Sequence, residues 1–281
     1  MWNLKDKTVV ITGATNGIGK AAALELAKQG PKLLLTFRNQ ELADNLLAEI
    51  KTAAPDVSVE LIYCDFSMQS SIRECSKEII ASQDKIDVLI NNAGVVNTSY
   101  HETSEGIENT FAVNHLGYFL FTNLLLNKMK GPEESRIINV SSAAHSFVKD
   151  MNWENINFKD DFGQGMQVYG QSKLANLLFT RHLAIKLSTD NISVNAIHPG
   201  GVNTALGSQN KALFGKILKV MLKPFFRSPL KGAPSIVYLA TKGEYFVDCK
   251  QAKSSSYSKN LEEAQKLWDL SERLVNEDFS I

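Results

Sequence analysis

Six short apolar runs punctuate the chain, and stretches of helical periodicity lie between them. The runs are Val9-Val10-Ile11, Leu33-Leu34-Leu35, Val59 to Cys64, Val88-Leu89-Ile90, Ile137 to Val140 and Val194 to Ile197. A strand that buries one face alternates apolar with polar residues, whereas an unbroken apolar run belongs to a strand covered on both faces. Leu42, Leu46, Leu47 and Ile50 form one helical stripe, and Ile72, Cys75, Ile79 and Ile80 another. Val168 to Leu187 predicts a long helix. A last helix is expected from about Leu261 to Val275, with Leu267, Leu270 and Leu274 on one face. Strands alternating with helices build βαβ units and a parallel sheet. A chain of 281 residues suits one large α/β domain, since such domains often run to about 250 residues as a unit.

Charge and cysteine usage narrow the function classes. Lys plus Arg and Asp plus Glu each number 30, so the strongly basic footprint of a nucleic-acid binder is missing and no nucleic-acid partner is expected. Cys64, Cys75 and Cys249 form no Cys-x-x-Cys pair, which fits plain thiols in a reducing compartment. His101, His115, His145, His182 and His198 show no metal-ligand spacing, so no metal is expected; His145 is close enough in sequence to Ser142 to line a pocket. The N-terminal MWNLKDKTVV carries no apolar core of a signal peptide. The longest apolar stretch, Leu116 to Leu126, falls short of the roughly 20 residues that a membrane span needs. The expectation is a soluble, cytoplasmic protein.

Chemistry enters at the turn after the first strand. Thr12-Gly13-Ala14-Thr15-Asn16-Gly17-Ile18-Gly19 opens an Ala/Leu-rich helix. Glycine is required where a tight turn takes unusual dihedrals or a backbone must touch a ligand, and a helix N-terminus presents free N–H groups to a phosphate. Gly13, Thr15, Asn16, Gly17, Ile18 and Gly19 are therefore candidates for holding a pyrophosphate, against the alternative of a plain strand–helix turn. The spacing G-x-x-x-G-x-G departs from the G-x-G-x-x-G dinucleotide fingerprint. At the end of the second strand an acid bonds an adenosine ribose 2′-hydroxyl, whereas an arginine accommodates a 2′-phosphate. Arg38 stands there with no acid beside it, which predicts NADP(H) over NAD(H). Asp65 and Phe66 follow the third strand as further cofactor candidates, Asp65 having a helix N-cap as its alternative. The fold expected is a single Rossmann-type, doubly wound domain over residues 1–281, with about seven parallel strands and helices on both faces.

Tyr169 and Lys173 lie one helical turn apart and so share a face. A free tyrosine with a pKa near 10 is a poor acid–base group, and a nearby ammonium lowers that value. Ser141-Ser142, Asn91-Asn92-Ala93-Gly94 and Pro199-Gly200 each end a predicted strand, on the side where ligands sit in an open parallel sheet. Side chains alternate along a strand, so Ser141 and Ser142 both remain open as the residue facing the ligand.

TGATNGIG, NNAG, Asn114 in VNHLGYF, Ser142 in NVSS, YGQSK and HPGGVNT occur in this order. With them the chain resembles the short-chain dehydrogenase/reductase family over essentially its whole length. NHLGYFLFTNLLL, SSAAH, SKLANLLFTRHLA and YFVDCK resemble its retinol dehydrogenase-like branch. The resemblance implies an NADP-linked oxidoreductase acting on an apolar aldehyde or ketone, or the matching alcohol, and so a lipophilic small-molecule substrate. It implies that Tyr169 moves the proton, that Lys173 tunes Tyr169 and bonds the nicotinamide ribose, that Ser142 holds the substrate oxygen, and that Asn114 retains a water linking Lys173 to solvent. It makes Ser141 a cofactor-side neighbour, and it implies that Asn92, Ala93, Gly94, Pro199, Gly200, Val202 and Thr204 wrap the cofactor.

Ser142 and Tyr169 are 27 positions apart, a long gap for the wider family, and the polar Asp150 to Gly165 between them is expected to form an exposed connection rimming the substrate mouth. Residues 203–230 correspond to the family's substrate lid. Lys211 to Lys223 is amphipathic, with Phe214, Ile217, Leu218, Met221 and Leu222 at helical spacing and Pro224 ending the helix; peripheral contact with an anionic membrane is its second reading. A homodimer is an expectation from the family. Two other functions share these residues: a low-turnover NADP-binding sensor or scaffold, which usually lacks one of Asn114, Ser142, Tyr169 and Lys173, and a nucleotide-sugar epimerase, which usually carries a larger C-terminal domain.

Overall fold

Seven parallel strands in the order β3-β2-β1-β4-β5-β6-β7 form the centre of the fold, with an antiparallel β8 on the far edge. They are β1 (Thr8–Ile11), β2 (Lys32–Phe37), β3 (Val59–Tyr63), β4 (Val88–Asn91), β5 (Ser135–Val140), β6 (Ile192–His198), β7 (Tyr245–Val247) and β8 (Lys250–Gln251). The computed structural model describes residues 2–163, 165–200, 245–247 and 250–281, with only the backbone of 245–247 and 250–251. The expected lid at 203–230, the helix at Lys211 to Lys223, Cys249 and the candidates Val202 and Thr204 lie outside the described residues.

The unbroken apolar runs do what their composition requires. Val10, Leu34, Leu89, Ile137 and Val194 point to one face, where α3 (Gln69–Ser82), the short α4 (Asn109–Phe111), α5 (Gly117–Leu125), α6 (Met166–Lys186) and α7 (Leu261–Val275) cover them. Val9, Ile11, Leu33, Leu35, Val88 and Ile90 point to the other, against α1 (Gly17–Ala27) and α2 (Gln40–Ala53). Strand order reverses between β1 and β4, which pair directly with Val10 opposite Leu89. That reversal opens a crevice at the carboxyl ends of the two strands. Leu116 to Leu126 is part of a helix inside the core, and no helix among the described residues is long and apolar enough to cross a membrane.

Three readings of the sequence need correction. The buried face of α2 is Ala43, Leu46 and Ile50, while Leu42 points outward. The buried face of α7 turns toward Ala264, Leu267, Trp268, Ser271 and Val275, leaving Leu270 and Leu274 at its margin. The reason is an aromatic pocket: Trp268 meets Phe119 edge-on at 4.8 Å and lies 5.1 Å from the His182 ring. The connection from Asp150 to Gly165 is anchored rather than simply exposed. Met151, Phe158 and Phe162 are buried, Gln171 Oε1 accepts from Asn152 N at 2.7 Å, and Trp153 Nε1 donates to Glu263 at 2.7 Å.

Candidate active site

The glycine turn between β1 and α1 is fastened to the end of β4. Gly13 has φ +62°, a conformation that side chains other than glycine's disfavour, and a Cβ on it would lie 2.7 Å from Ala93 Cα. A Cβ on Gly19 would lie 2.4 Å from both Asn92 Nδ2 and Gly13 O. Asn92 Nδ2 donates to Thr12 O at 2.9 Å and to Gly13 O at 3.0 Å. Thr12 Oγ1 accepts from the backbone of Asn92 and Ala93 at 2.8 and 2.9 Å. The Asn92 amide is thus committed to holding the turn. Asn16 caps α1, its side chain accepting from Gly17 N at 2.7 Å; Thr15 and Ile18 stand half-buried on either side.

Arg38 projects from the end of β2, its side chain 49% exposed and 3.8 Å from Asp65 Oδ1. Asp65 does not cap α3. Its Oδ1 accepts from Ser67 N at 2.9 Å and Ser67 Oγ at 2.7 Å, closing a local turn, and the α3 N-cap is Met68. The Phe66 ring is buried in the core, edge-on to Phe121 at 5.4 Å, so only its backbone remains to face a ligand.

β5 and α6 bring the acid–base candidates together. Lys173 is buried on α6 and its Nζ donates to Val140 O at 3.0 Å. The same ammonium lies 5.7 Å from the Tyr169 ring and 5.7 Å from the Tyr118 ring. Tyr169 is half-buried, with the Ser142 side chain near enough to its phenol to act on its pKa. Ser142 also caps a short 3-10 turn, Ala143–Phe147, by accepting from Ala144 N at 3.2 Å. Ser141 points elsewhere: its Oγ donates to Lys173 O at 2.8 Å and ties β5 to α6. Its side chain is therefore a structural tie. Asn114 lies in a π-helical turn, Ala112–Leu116, a distortion frequent at functional sites. Its Nδ2 donates to Val95 O and Ser172 Oγ at 3.0 Å each, and its Oδ1 accepts from Val95 N at 2.8 Å. A Cβ on Gly94 would sit 3.2 Å from Asn114 Oδ1 and 3.8 Å from Lys173 Nζ, so that backbone borders the lysine. Pro199 is buried and Gly200 has φ +82° at the end of β6.

Two residues carry packing roles that the motifs did not announce. Gly170 follows Tyr169, and a Cβ there would lie 2.7 Å from Ala144 O in the Ser142 turn. His145 is 3% exposed, three residues after Ser142. Their signal was adjacency to Tyr169 and Ser142, but only the fold shows what they touch.

The electrostatics differ from the simple lysine-lowers-tyrosine expectation. Burial pushes the Tyr169 phenol above its ordinary 10, and the nearby Ser142 hydroxyl pulls it partly back. Burial also pushes Lys173 down to about 7. Desolvation therefore weakens the ammonium that was expected to activate the phenol. At neutral pH Tyr169 carries its proton, the form able to give one to an acceptor oxygen.

Comparison with known proteins follows the same lines. A family model described as short chain dehydrogenase matches residues 7–155 and 158–212. The chain is 38% identical to retinol dehydrogenase 14 of Homo sapiens, over 96% of this chain and 86% of that protein. It is 38% identical to retinol dehydrogenase 13 of Homo sapiens, over 96% and 84%. Among solved structures, an uncharacterised protein of Mycobacterium paratuberculosis aligns with a TM-score of 0.78 at 29% identity, covering 99% of this chain and 97% of that one.

Proposed function

The chain belongs to the short-chain dehydrogenase family and is an oxidoreductase acting on CH–OH groups, and from that premise we propose that it works with NADP(H) in preference to NAD(H) on an apolar aldehyde or ketone, or the corresponding alcohol. The observation that carries the chemistry is the convergence of Ser142, Tyr169 and Lys173 at the carboxyl end of β5. Beside it lies a glycine turn, locked to β4 by Asn92, that fits a dinucleotide. Gly13, Thr15, Asn16, Gly17, Ile18 and Gly19 would hold the pyrophosphate, and Ala93, Gly94, Pro199 and Gly200 would border the nicotinamide end. Arg38, half-exposed with no acid following it on β2, supports 2′-phosphate recognition. The retinol dehydrogenase name of the relatives supports a lipophilic substrate. The free, buried thiols Cys64 and Cys75 support a reducing, cytoplasmic setting.

When bound, the dinucleotide supplies or accepts the hydride. In our reading Ser142 Oγ holds the substrate oxygen, and the Tyr169 hydroxyl gives it a proton in reduction or takes one in oxidation. Lys173, held by Val140 O, moves its own proton near neutral pH and restores the protonation state of Tyr169. With its side chain spent on Val95 and Ser172, Asn114 serves this path through its backbone.

The test is a panel of nonanal, benzaldehyde and all-trans-retinal with NADPH and with NADH, followed at the nicotinamide absorbance. Turnover that prefers NADPH and is abolished by Tyr169→Phe, with NADPH binding kept, is expected. Undiminished turnover in that variant refutes the mechanism, and equal rates with NADH refute the cofactor preference.

A further inference from the structure

His145 sits three residues after Ser142 and is buried, yet it is a polar ring with a partner on each nitrogen. Its Nδ1 lies 2.7 Å from Ser142 O, and the His145 backbone N–H donates to the same oxygen at 3.1 Å. A carbonyl oxygen only accepts, so Nδ1 must carry the ring proton. On the far side Nε2 accepts from Ser255 N at 3.3 Å, with Ser146 Oγ at 3.4 Å. Ser255 belongs to the segment leading into α7, and Arg181 of α6 grips that segment independently. Arg181 donates to Ser254 Oγ at 3.0 Å and Ser258 O at 3.3 Å. Burial, with the Arg181 charge nearby, holds the imidazole in its neutral form, the only form that donates at one nitrogen and accepts at the other.

Two donors on one carbonyl fix the orientation of the peptide plane that follows Ser142. That plane sets the extended backbone of Ser142 (φ −156°, ψ 156°), from which Oγ reaches Tyr169. We propose that His145 is a positioning residue: through Nδ1 it aims Ser142 at Tyr169, and through Nε2 it anchors the Ser142 turn to the Ser254–Ser258 segment. The inference rests on the proposed role of Ser142, and it ties the segment before α7 to the Ser142 turn.

Asparagine places its amide nitrogen where Nδ1 lies, and glutamine reaches the position of Nε2, so the two halves of the clamp can be separated in the full-length protein. His145→Asn keeps the donor to Ser142 O; His145→Gln keeps a partner for Ser255 N; His145→Ala keeps neither. With NADPH and whichever panel aldehyde wild type reduces fastest, Gln and Ala are expected to lose at least about tenfold in kcat, the scale of a misplaced reacting group. Asn should stay within about threefold, and all three should bind NADPH within about twofold of wild type. Hydrogen exchange without cofactor gives an activity-independent readout. Asn should deprotect Ser255 alone, Gln the 143–147 turn alone, and Ala both. The inference is overturned if Asn loses as much kcat as Ala, if cofactor affinity falls in step with kcat, or if exchange protection is unchanged or lost equally in all three. Failure of the proposed function itself looks different: Tyr169→Phe would then turn over normally, or wild type would reduce no aldehyde, while the exchange pattern still reports on the clamp.

Discussion

Replacing Lys173 by methionine should abolish turnover and at the same time stabilise the cofactor-free protein at pH 7. Burial brings the Lys173 pKa from 10.5 to about 7. At about 1.4 kcal/mol per pH unit, carrying the proton into the folded state costs about 4 kcal/mol at pH 7, an upper bound because buried sites relax and admit water. Methionine removes that cost and gives up the hydrogen bond to Val140 O, about 1 kcal/mol. A net gain of up to about 3 kcal/mol is expected, or a Tm rise of up to about 6 °C for a chain of this size.

The pH dependence separates this from a packing effect. The folded pKa lies below the unfolded one, so between pH 7 and 10.5 the unfolded chain binds more protons and wild-type stability rises with pH. Below pH 7 the cost is constant, and above 10.5 it vanishes. From pH 7 to 9 this one group adds about 2 kcal/mol to wild type and nothing to Lys173→Met, so the advantage of the variant should shrink to about 1 kcal/mol by pH 9. Calorimetry of both proteins without cofactor at the two pH values measures the double difference, in which other titrating groups cancel. A variant less stable at pH 7, or a difference that does not change with pH, refutes the reasoning that desolvation governs Lys173.

Gly170→Ala would gain about 1 kcal/mol from helix propensity alone, but its Cβ would lie 2.7 Å from Ala144 O. A net loss of about 1–3 kcal/mol and a drop in kcat are expected by denaturant unfolding and kinetics, and a stabilised variant contradicts the close approach. Arg38→Ala should weaken NADPH binding about tenfold or more, the worth of a charge-assisted contact, and leave NADH within about twofold; fluorescence titration decides, and equal losses for both dinucleotides overturn the assignment. Tyr118→Phe removes a buried hydroxyl that has no hydrogen-bond partner among the described residues. It should raise stability by about 1 kcal/mol, seen as a Tm about 2 °C higher, and a lower Tm would mean that the hydroxyl is engaged.

What could be read from the sequence was what depends on near neighbours. Strands β1, β2 and β4 announce themselves because burial on both faces demands an unbroken apolar run; the runs of β3, β5 and β6 are each broken once, by Glu60, Asn139 and Asn195, and β7 has three residues, too few for a pattern. The bounds of α7 are legible because Asn260 caps its start, accepting from Glu262 N and Glu263 N, and Asn276 closes it in the left-handed conformation. Its buried face is not, because Ser271 is drawn inward by His115 Nε2 at 2.9 Å, a residue of the distant π turn. The segment from Asp150 to Gly165 looked exposed because its anchors are remote: Phe162 meets Tyr100 edge-on at 5.8 Å. The same division runs through the site. Tyr169 and Lys173 share a face by helical spacing alone, while the choice between Ser141 and Ser142 waits on which one turns toward the backbone of α6.

That choice belongs to a larger pattern of buried polar ties. Asn91 and Asn139 face each other across β4 and β5, and Asn91 Nδ2 donates to Asn139 Oδ1 and to Thr122 Oγ1 of α5, both at 2.8 Å. Asn139 Nδ2 passes the chain to Thr180 Oγ1 at 3.0 Å, and Thr180 donates to Asn176 O at 2.7 Å. Asn176 Nδ2 then shares Val140 O with Lys173 Nζ. Apolar side chains would pack this layer with no directional demand, and α6 would be free to slide or rotate by small amounts over the sheet. Each polar pair is satisfied at one setting of α6 against β5, because an unmade buried hydrogen bond costs about 1–3 kcal/mol. Tyr169 and Lys173 ride on α6 while Ser142 ends β5, so the register that these asparagines and threonines fix is the same register that sets the distance between the phenol and the serine hydroxyl.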